Sequence, residues 1–200
     1  MSAGLPARKR VAILISGRGS NMAALIAAAK AEDYPAEIAL VLSNVPAAGG
    51  LAIAAAEGIA TATIDHRAYG RDREAFERAM QAVLEAHRID IVCLAGFLRI
   101  LTPWFVGHWE GRMINIHPAL LPAYKGLDTH ARALADGATE HGATVHFVTP
   151  GMDEGETILQ EAVPVLPGDT PETLGQRVLA VEHRIYPLAL RMIATDYTLL

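Results

Sequence analysis

Short apolar runs alternate with longer alanine-rich segments along the first half of the chain. The short runs are apolar almost throughout, as in buried strands, whereas the longer segments repeat apolar residues at helical spacing. The predicted strands are 10–16, 36–44, 59–64 and 89–95, and the predicted helices are 21–32, 47–58 and 73–87. Because such alternation forms right-handed crossovers, we expect an α/β fold with an open parallel sheet covered by helices on both faces.

The pattern changes after a fifth predicted strand at 112–117. A loop rich in proline and glycine follows at 118–128, then a short helix and two further strands at 142–148 and 157–165. A short turn joins these two strands, so we expect a hairpin and a mixed sheet with an antiparallel C-terminal part. A helix over about 171–193 follows, and the absence of a linker or repeat favours one domain over 1–200.

Composition excludes several classes of function. The net charge is -5, and no basic run follows the ARKR segment at 7–10, so we expect no nucleic-acid partner. The chain has one cysteine, Cys93, in an apolar run, which predicts a buried side chain and no disulfide framework. No window has the ~18 apolar residues of a membrane span, and the first residues lack a signal-peptide pattern. We therefore expect a cytoplasmic protein with no membrane partner.

Candidate chemistry follows three of the predicted strands. In open α/β sheets, ligands bind beyond the carboxyl ends of the strands. The segments at these ends are SGRGSN after the first strand, GFLRIL after the fourth and NIHP within and after the fifth. We expect all three to face one crevice.

The first of these segments is a glycine loop that leads from a strand into a helix. Gly17 and Gly19 let the backbone approach a ligand, and the free N–H groups at the helix N-terminus attract an anion. Met22 replaces the third small residue of the dinucleotide fingerprint, so we expect a site for one phosphate. The structural alternative is that Ser20 or Asn21 only caps the helix.

Two polar side chains share one face of the fifth predicted strand. Asn115 and His117 are two positions apart and project together, while Pro118 ends the strand. On its own, this pair could be a strand that runs into a polar rim. Asp153 lies in a turn between later strands, and a carboxylate beside an imidazole favours its charged form. The three groups together form an oxyanion-stabilising set without a nucleophile, which suits acyl transfer by direct attack of a substrate.

The remaining histidines do not show the spacing of a metal site. His130, His141 and His146 belong to elements that we expect near His117, and for them we favour structural or substrate-lining roles. The other histidines of the first half are interpreted as surface or loop residues: His66, His87 and His108.

Six motifs resemble, in order and spacing, the phosphoribosylglycinamide formyltransferase family of purine biosynthesis. They are LISGRGSNM, CLAGFLRIL, NIHPALLPAYKG, HGATVHFV, MDEGETILQEAVPV and EHRIYP, within about 10–195. The resemblance implies formyl transfer from the co-substrate 10-formyltetrahydrofolate to the amine of glycinamide ribonucleotide, without a metal. It also implies the formyltransferase fold, in which a Rossmann-like mononucleotide-binding half, about 1–110, joins a folate-binding and catalytic half, about 111–200.

The resemblance further implies roles for single residues. The catalytic set would be Asn115, His117 and Asp153. The ribonucleotide would be bound by Gly19, Ser20 and Asn21 at its phosphate and by Glu182 at its ribose. The folate would contact Arg73, Leu98, Arg99, Ile100, Leu101, Asn115, Thr149, Pro150, Gly151, Met152 and Asp153. Without the resemblance, Glu182 would be assigned to a solvated helix face, and the FLRIL segment to the core.

Small departures and competing classes remain. Relatives often carry Met at Leu98 and Ser at Ala119, and some carry His at Asp128, so the effect of Asp128 on the 118–128 loop stays open. Methionyl-tRNA formyltransferase would have a C-terminal barrel and a basic surface, and formyltetrahydrofolate hydrolase would have an additional N-terminal domain. A non-catalytic nucleotide-binding module would leave the polar set at the fifth strand without a purpose. We expect small-molecule substrates and a monomer or homodimer.

Overall fold

The computed structural model describes residues 7–195, which form seven strands and six α-helices. The strands are β1 (Lys9–Ile15), β2 (Ala36–Ser43), β3 (Ala60–Thr63), β4 (Ile91–Leu94), β5 (Met113–His117), β6 (Glu140–Phe147) and β7 (Thr157–Pro164). The helices are α1 (Ser20–Ala29), α2 (Gly49–Ala56), α3 (Arg73–Ala86), α4 (Pro103–His108), α5 (Thr129–Ala135) and α6 (Pro171–Ala194).

All seven strands belong to one sheet in the order β3-β2-β1-β4-β5-β6-β7. The five strands from β3 to β5 pair in parallel, whereas β6 and β7 are antiparallel to their neighbours. The predicted mixed, mostly parallel α/β sheet is therefore confirmed. The order also makes β1, β4 and β5 neighbours, so their carboxyl ends meet along one edge.

Two apolar layers cover the sheet, because successive side chains of a strand point to opposite faces. In β1, Val11 and Ile13 face the layer built by α1, α2 and α6, while Ala12 and Leu14 face α3 and α4. Cys93 is fully buried in the first layer, as predicted, and burial raises the pKa of its thiol to about 12.

Local signals fix the ends of several helices. Asp72 caps α3 by accepting a hydrogen bond from the Ala75 amide at 2.9 Å. Thr170 and Thr173 form a reciprocal capping box at the start of α6, with Pro171 in its first turn. These caps lie where the sequence predicted the helices to begin.

Two short elements were not predicted. A 3₁₀ turn at His66–Tyr69 follows β3, and α4 follows the segment after β4. Both are shorter than the window in which helical periodicity is visible. Among residues 7–195, no helix combines the length and apolar character that a membrane crossing requires.

Candidate active site

The glycine loop begins directly at the end of β1. Gly19 is the N-cap residue of α1 and has a left-handed backbone, with φ 76°. No side chain caps the helix, so the alternative that Ser20 or Asn21 serves as its N-cap is wrong. The first N–H groups of a helix have no intrahelical acceptor, so the start of α1 provides donors for an anion.

A second helix N-terminus approaches this loop. The Gly50 amide of α2 donates to the Gly17 carbonyl at 3.1 Å. A Cβ on Gly50 would lie 2.5 Å from Ile15 Cδ1 and 3.4 Å from the Gly19 Cα, so a side chain there would require Ile15 to shift. A Cβ on Gly19 would meet Gly50 Cα at 3.1 Å, so a side chain at Gly19 would strain the loop against α2. This role of Gly50 was not predicted from the sequence, although the Gly-Gly pair in the predicted helix was a signal.

Glu182 of α6 lies beside the glycine loop rather than on a solvated face. Its side chain is 7% exposed, and burial raises the pKa of its carboxyl to about 7. The side chain of Asn21 hydrogen-bonds to this carboxylate, which opposes the shift. Within the described chain, Asn21 Oδ1 is buried without a hydrogen-bond partner. The structure thus brings together two of the predicted ribonucleotide contacts.

Asn115 and His117 project from the same face of β5, as the alternation predicted. The residues between and beside them, Ile114 and Ile116, point into the opposite apolar layer. On the neighbouring β6, His146 is paired with Asn115 in the antiparallel register. The polar pair is therefore held at the junction between the parallel and antiparallel parts of the sheet.

His146 fixes the amide of Asn115. Its Nδ1–H donates to the Phe147 carbonyl at 2.9 Å, which leaves the unprotonated Nε2 to accept from Asn115 Nδ2 at 3.2 Å. Burial lowers the pKa of His146, which favours this neutral state. Asn115 Nδ2 carries two hydrogens, so one remains for another acceptor. His146 belongs to the histidines for which a structural or lining role was expected.

Both ring nitrogens of His117 have defined neighbours, and the ring is almost fully buried. Nε2–H donates to the Tyr124 carbonyl at 2.9 Å. Nδ1 lies 3.5 Å from Asp153 Oδ2. The three predicted catalytic residues, which are far apart in sequence, therefore lie together.

The carboxylate of Asp153 is bound by a main-chain donor of the 118–128 loop and lies near the His146 ring. Oδ2 accepts from the Gly126 amide at 2.9 Å, and Oδ1 lies 3.7 Å from His146 Nε2. The backbone of Asp153 is left-handed, with φ 51°. Such a conformation costs a non-glycine residue about 1–3 kcal/mol and is typical of functional turns.

The 118–128 loop closes over His117 and is anchored at its start by Thr144. This buried hydroxyl donates to the Ala119 carbonyl at 2.7 Å and accepts from the Leu121 amide at 3.1 Å. Tyr124 and Asp128 both have left-handed backbones, with φ 53° and 56°. Through the Tyr124 carbonyl the loop touches His117, a main-chain contact that side-chain patterns do not reveal.

The segment after β4 carries exposed apolar side chains. Leu98 is 72% and Ile100 65% exposed, whereas Leu101 is buried in the core. Arg73, at the start of α3, donates from Nη2 to the Ile100 carbonyl at 2.6 Å, and Arg99 is half-buried. Arg73 is thus close to residues 98–101, the other predicted folate contacts after β4, while Leu101 itself faces the protein interior.

The remaining predicted contacts form an exposed turn that leads to Asp153. Thr149 and Pro150 are exposed, Gly151 is half-buried, and Met152 is 53% exposed. The Sδ atom of Met152 lies close to Gly126 of the 118–128 loop. This turn and that loop therefore lie side by side at the catalytic candidates.

His130 and His141 lie behind the site. His141 is buried with Nε2 3.1 Å from His130 Nδ1, and burial lowers the pKa of His141 to about 4. The ring of Tyr124 packs edge-on against His141. Within residues 7–195, no three His, Cys, Asp or Glu side chains are placed to hold a metal ion.

Comparison with known sequences finds one family and many relatives. Residues 9–190 match the formyl transferase family. Phosphoribosylglycinamide formyltransferase of Escherichia coli is 46% identical over 92% of this chain and 86% of its own. The trifunctional purine biosynthetic protein adenosine-3 of Bos taurus is 50% identical over 95% of this chain, which spans 19% of that longer protein.

Solved structures agree with these sequence matches. Phosphoribosylglycinamide formyltransferase from Brucella melitensis is 53% identical, with a TM-score of 0.90, covering 96% of this chain and 98% of its own. Glycinamide ribonucleotide transformylase 1 from Symbiobacterium toebii has a TM-score of 0.92 at 43% identity, covering 96% and 90%. At these identities the similarity includes the sequence as well as the fold.

Proposed function

The chain belongs to the formyl transferase family, and we propose that it transfers a formyl group from 10-formyltetrahydrofolate to the amine of glycinamide ribonucleotide in purine biosynthesis. The observation that carries the proposal is the convergence of Asn115, His117 and Asp153 at the carboxyl end of β5. We assign about 1–110 to a mononucleotide-binding half and about 111–200 to a folate-binding and catalytic half of one domain, with Arg73 and 98–101 contributing to the folate site and Glu182 to the ribonucleotide site across that boundary.

The reaction begins when the amine attacks the formyl carbon and the formyl oxygen gains negative charge. Donors fixed in advance at this oxygen lower the barrier because they need not reorient. The second hydrogen of Asn115 Nδ2 is one such donor, since His146 already holds the first. The other donor is His117 Nε2–H. In the structure it binds the Tyr124 carbonyl oxygen, whose position shows where an acceptor of this hydrogen bond lies. The formyl oxygen takes the place of that carbonyl.

Asp153 completes the set by acting on the other side of the His117 ring. With Nε2 protonated, Nδ1 faces Asp153 Oδ2 at 3.5 Å, so a proton on Nδ1 would be shared with a carboxylate. The imidazolium can then stabilise the oxyanion and supply the proton that the departing folate nitrogen needs. The nitrogen of the attacking amine becomes cationic on addition and gives its extra proton to the His117 ring, which replaces the proton passed to the folate nitrogen, so the proton count balances.

The ribonucleotide binds at the glycine loop. The N-termini of α1 and α2 converge there, so Gly19, Ser20 and Asn21 offer main-chain donors to the phosphate. Glu182 and the unpartnered Asn21 Oδ1 are acceptors for the ribose hydroxyls. Burial of these acceptors supports a specific polar ligand, because unpaired buried polar groups are costly.

The folate lies along the exposed apolar surface after β4. Leu98 and Ile100 would be covered by a flat ring system, which removes them from water. The contacts assigned to it are Arg73, Leu98, Arg99, Ile100, Leu101, Asn115 and the Thr149, Pro150, Gly151, Met152 and Asp153 turn. Leu101 would act as pocket floor, because it is buried.

The test is spectrophotometric release of tetrahydrofolate from 10-formyltetrahydrofolate. We expect release only when glycinamide ribonucleotide is present, with formyl-glycinamide ribonucleotide formed in equal amount. Release without the acceptor would instead indicate a hydrolase. No release under either condition, with the ribonucleotide still bound, would indicate a nucleotide-binding module.

A further inference from the structure

The backbone of residues 96–102, the co-substrate segment, is held by side chains from outside it. The Leu98 amide donates to Ser16 Oγ at 2.8 Å, and Arg73 binds the Ile100 carbonyl at 2.6 Å. At the far end, the buried carboxylate of Glu77 accepts from the Thr102 amide at 2.7 Å and from the Thr102 hydroxyl. The segment has no regular secondary structure, so these side-chain contacts and the Ser16 amide, which donates to the Gly96 carbonyl, define its path.

The Ser16 contact belongs to a directed chain of hydrogen bonds. Ser16 Oγ accepts from Leu98 and donates to Asn44 Oδ1 at 2.6 Å. Asn44 Nδ2 then lies 3.2 Å from His66 Nδ1, which also contacts the Asn44 carbonyl at 3.0 Å. Because its oxygen is engaged by Ser16, the Asn44 amide has one orientation. The chain runs from the end of β2 through the end of β1 to the co-substrate segment.

Ser16 and Asn44 depend on these hydrogen bonds because both side chains are buried. Ser16 is 9% and Asn44 2% exposed, so neither finds solvent if its partner is lost. Loss of the Ser16 hydroxyl would leave the Leu98 amide without its acceptor and a buried Asn44 oxygen without its donor. An unpaired buried polar group costs more than the bond it formed, so the segment would move to recover partners.

The side chains that the segment presents make such movement functionally relevant. Leu98, whose own amide is bound to Ser16, is more exposed than Ile100, the other large exposed apolar residue of the segment. In the described chain, Arg99 makes no hydrogen bond or ion pair with protein groups, so its peptide and guanidinium groups face no internal competitor. Small shifts of binding groups, of about 1 Å, can reduce catalysis by about 10²-fold.

We propose that Ser16 and Asn44 are positioning residues for the folate co-substrate, acting through the Leu98 amide. The inference rests on the proposed function, since it assigns the folate to this surface. It predicts an effect on the folate that exceeds any effect on the ribonucleotide. The Ser16 main chain, whose amide donates to the Gly96 carbonyl at 3.1 Å, is unchanged by substitution of its side chain.

Ser43 offers a matched control. It is fully buried and ends β2 directly beside Ile15, and among residues 7–195 its hydroxyl bonds only to the neighbouring Val45 main chain. Ser16→Ala and Ser43→Ala therefore delete the same atom at adjacent strand ends. The first breaks the chain to Leu98, whereas the second breaks a local turn.

The experiment measures KM for both substrates and amide hydrogen exchange at Leu98 in the wild type and both variants. For Ser16→Ala we expect KM for 10-formyltetrahydrofolate to rise roughly tenfold, the scale of one buried hydrogen bond left unmade. KM for glycinamide ribonucleotide should stay near the wild-type value, and exchange at Leu98 should accelerate. Ser43→Ala should leave both KM values and Leu98 exchange near those of the wild type.

Three results would overturn the inference. They are equal rises of both KM values in Ser16→Ala, a folate KM near the wild-type value, and the same folate effect in Ser43→Ala. Failure of the proposed function is seen separately, as a wild-type protein that transfers no formyl group. If the wild-type protein transfers no formyl group, the exchange measurement still tests the inference. An unchanged rate of Leu98 amide exchange in Ser16→Ala would contradict a role of Ser16 in positioning that amide.

Discussion

The glycine loop and the Asn115, His117 and Asp153 set use different parts of the chain to build a site. The loop offers main-chain donors at the start of α1, and its residues are close in sequence apart from Gly50, whose amide holds α2 against the loop. The set relies on side chains from β5 and a distant turn, brought together by sheet pairing and a strained backbone. We infer that the first binds and the second reacts.

This difference predicts how each region responds to substitution. Main-chain donors survive most side-chain changes, so damage to the loop region should weaken ribonucleotide binding by moderate factors. Side chains that act on developing charge contribute mainly in the transition state, so their loss should lower kcat. The predictions at Asp153 and Glu182 test the two sides of this contrast, and those at His141 and Asp128 test the structure that supports the catalytic set.

The largest effect is expected at Asp153. Asp153→Asn keeps the shape of the side chain but removes the charge that faces His117 Nδ1 at 3.5 Å. We expect kcat to fall by roughly 10²–10⁴-fold, the range for positioned acid–base groups. KM for the ribonucleotide should change little, as steady-state kinetics would reveal.

Glu154→Gln is the matched control for that substitution. Glu154 is the next residue, is exposed, and pairs with Lys125 at 3.0 Å. Its loss should leave kcat near the wild-type value. A comparable fall in both variants would mean that the turn matters only through its shape.

A smaller effect, on binding, is expected at Glu182. Glu182→Gln removes an ionisable acceptor that lies against Asn21. Because glutamine replaces one acceptor oxygen by a donor group, and an unmatched buried polar group costs about 1–3 kcal/mol, KM for the ribonucleotide should rise roughly 10- to 100-fold while kcat is retained. Glu172→Gln, at an exposed position in the first turn of the same helix, provides the control. A fall in kcat with an unchanged KM for the ribonucleotide would instead indicate that Glu182 acts in the reaction step.

Acid should destabilise the region of the catalytic set through its buried histidines. Burial lowers the pKa of His130 and His146, and that of His141 to about 4. Between about pH 6.5 and the lowered pKa, the unfolded chain binds more protons, so the free energy of unfolding falls as pH falls. For His141, which is almost fully buried, the contribution is at most about 1.4 kcal/mol per pH unit within this range.

Thermal unfolding between pH 7 and pH 4 measures this dependence, using the wild type and His141→Gln. The variant should lose less stability on acidification than the wild type, because it lacks the histidine with the most strongly lowered pKa. Parallel curves for the two proteins would show that His141 does not carry the acid sensitivity.

The smallest effect is expected at Asp128. Its left-handed backbone, with φ 56°, is strained, and its side chain does not cap α5. Asparagine tolerates this conformation well, so Asp128→Asn should raise the free energy of unfolding by up to about 1 kcal/mol. Urea denaturation would measure the change. A destabilised variant would indicate a role for the carboxylate that the backbone does not explain.

The sequence was sufficient for the elements with long, regular patterns. It located all seven strands, the mixed sheet, the shared face of Asn115 and His117, and the family, which the comparisons confirm. It failed where tertiary contacts decide the structure. The Gly50 amide, in α2, binds the glycine loop that precedes α1, and Tyr124 contacts His117 through its carbonyl. Neither contact leaves a periodic signal in the sequence. The hydrogen bonds of Ser16 and Asn44 could not be predicted either, because they join the ends of three strands that are far apart in sequence.

The most direct test of the contrast compares Asn115→Ala with Asn21→Ala, the same substitution in the two regions. Single-turnover rates at saturating substrates and KM for the ribonucleotide would be measured for both. Asn115→Ala should slow formyl transfer by roughly 10²–10³-fold, the loss of one oxyanion donor, with ribonucleotide KM unchanged. Asn21→Ala should raise that KM roughly tenfold with the rate retained. A near-normal rate for Asn115→Ala, or effects that are the same in both variants, would contradict the division between binding and reaction.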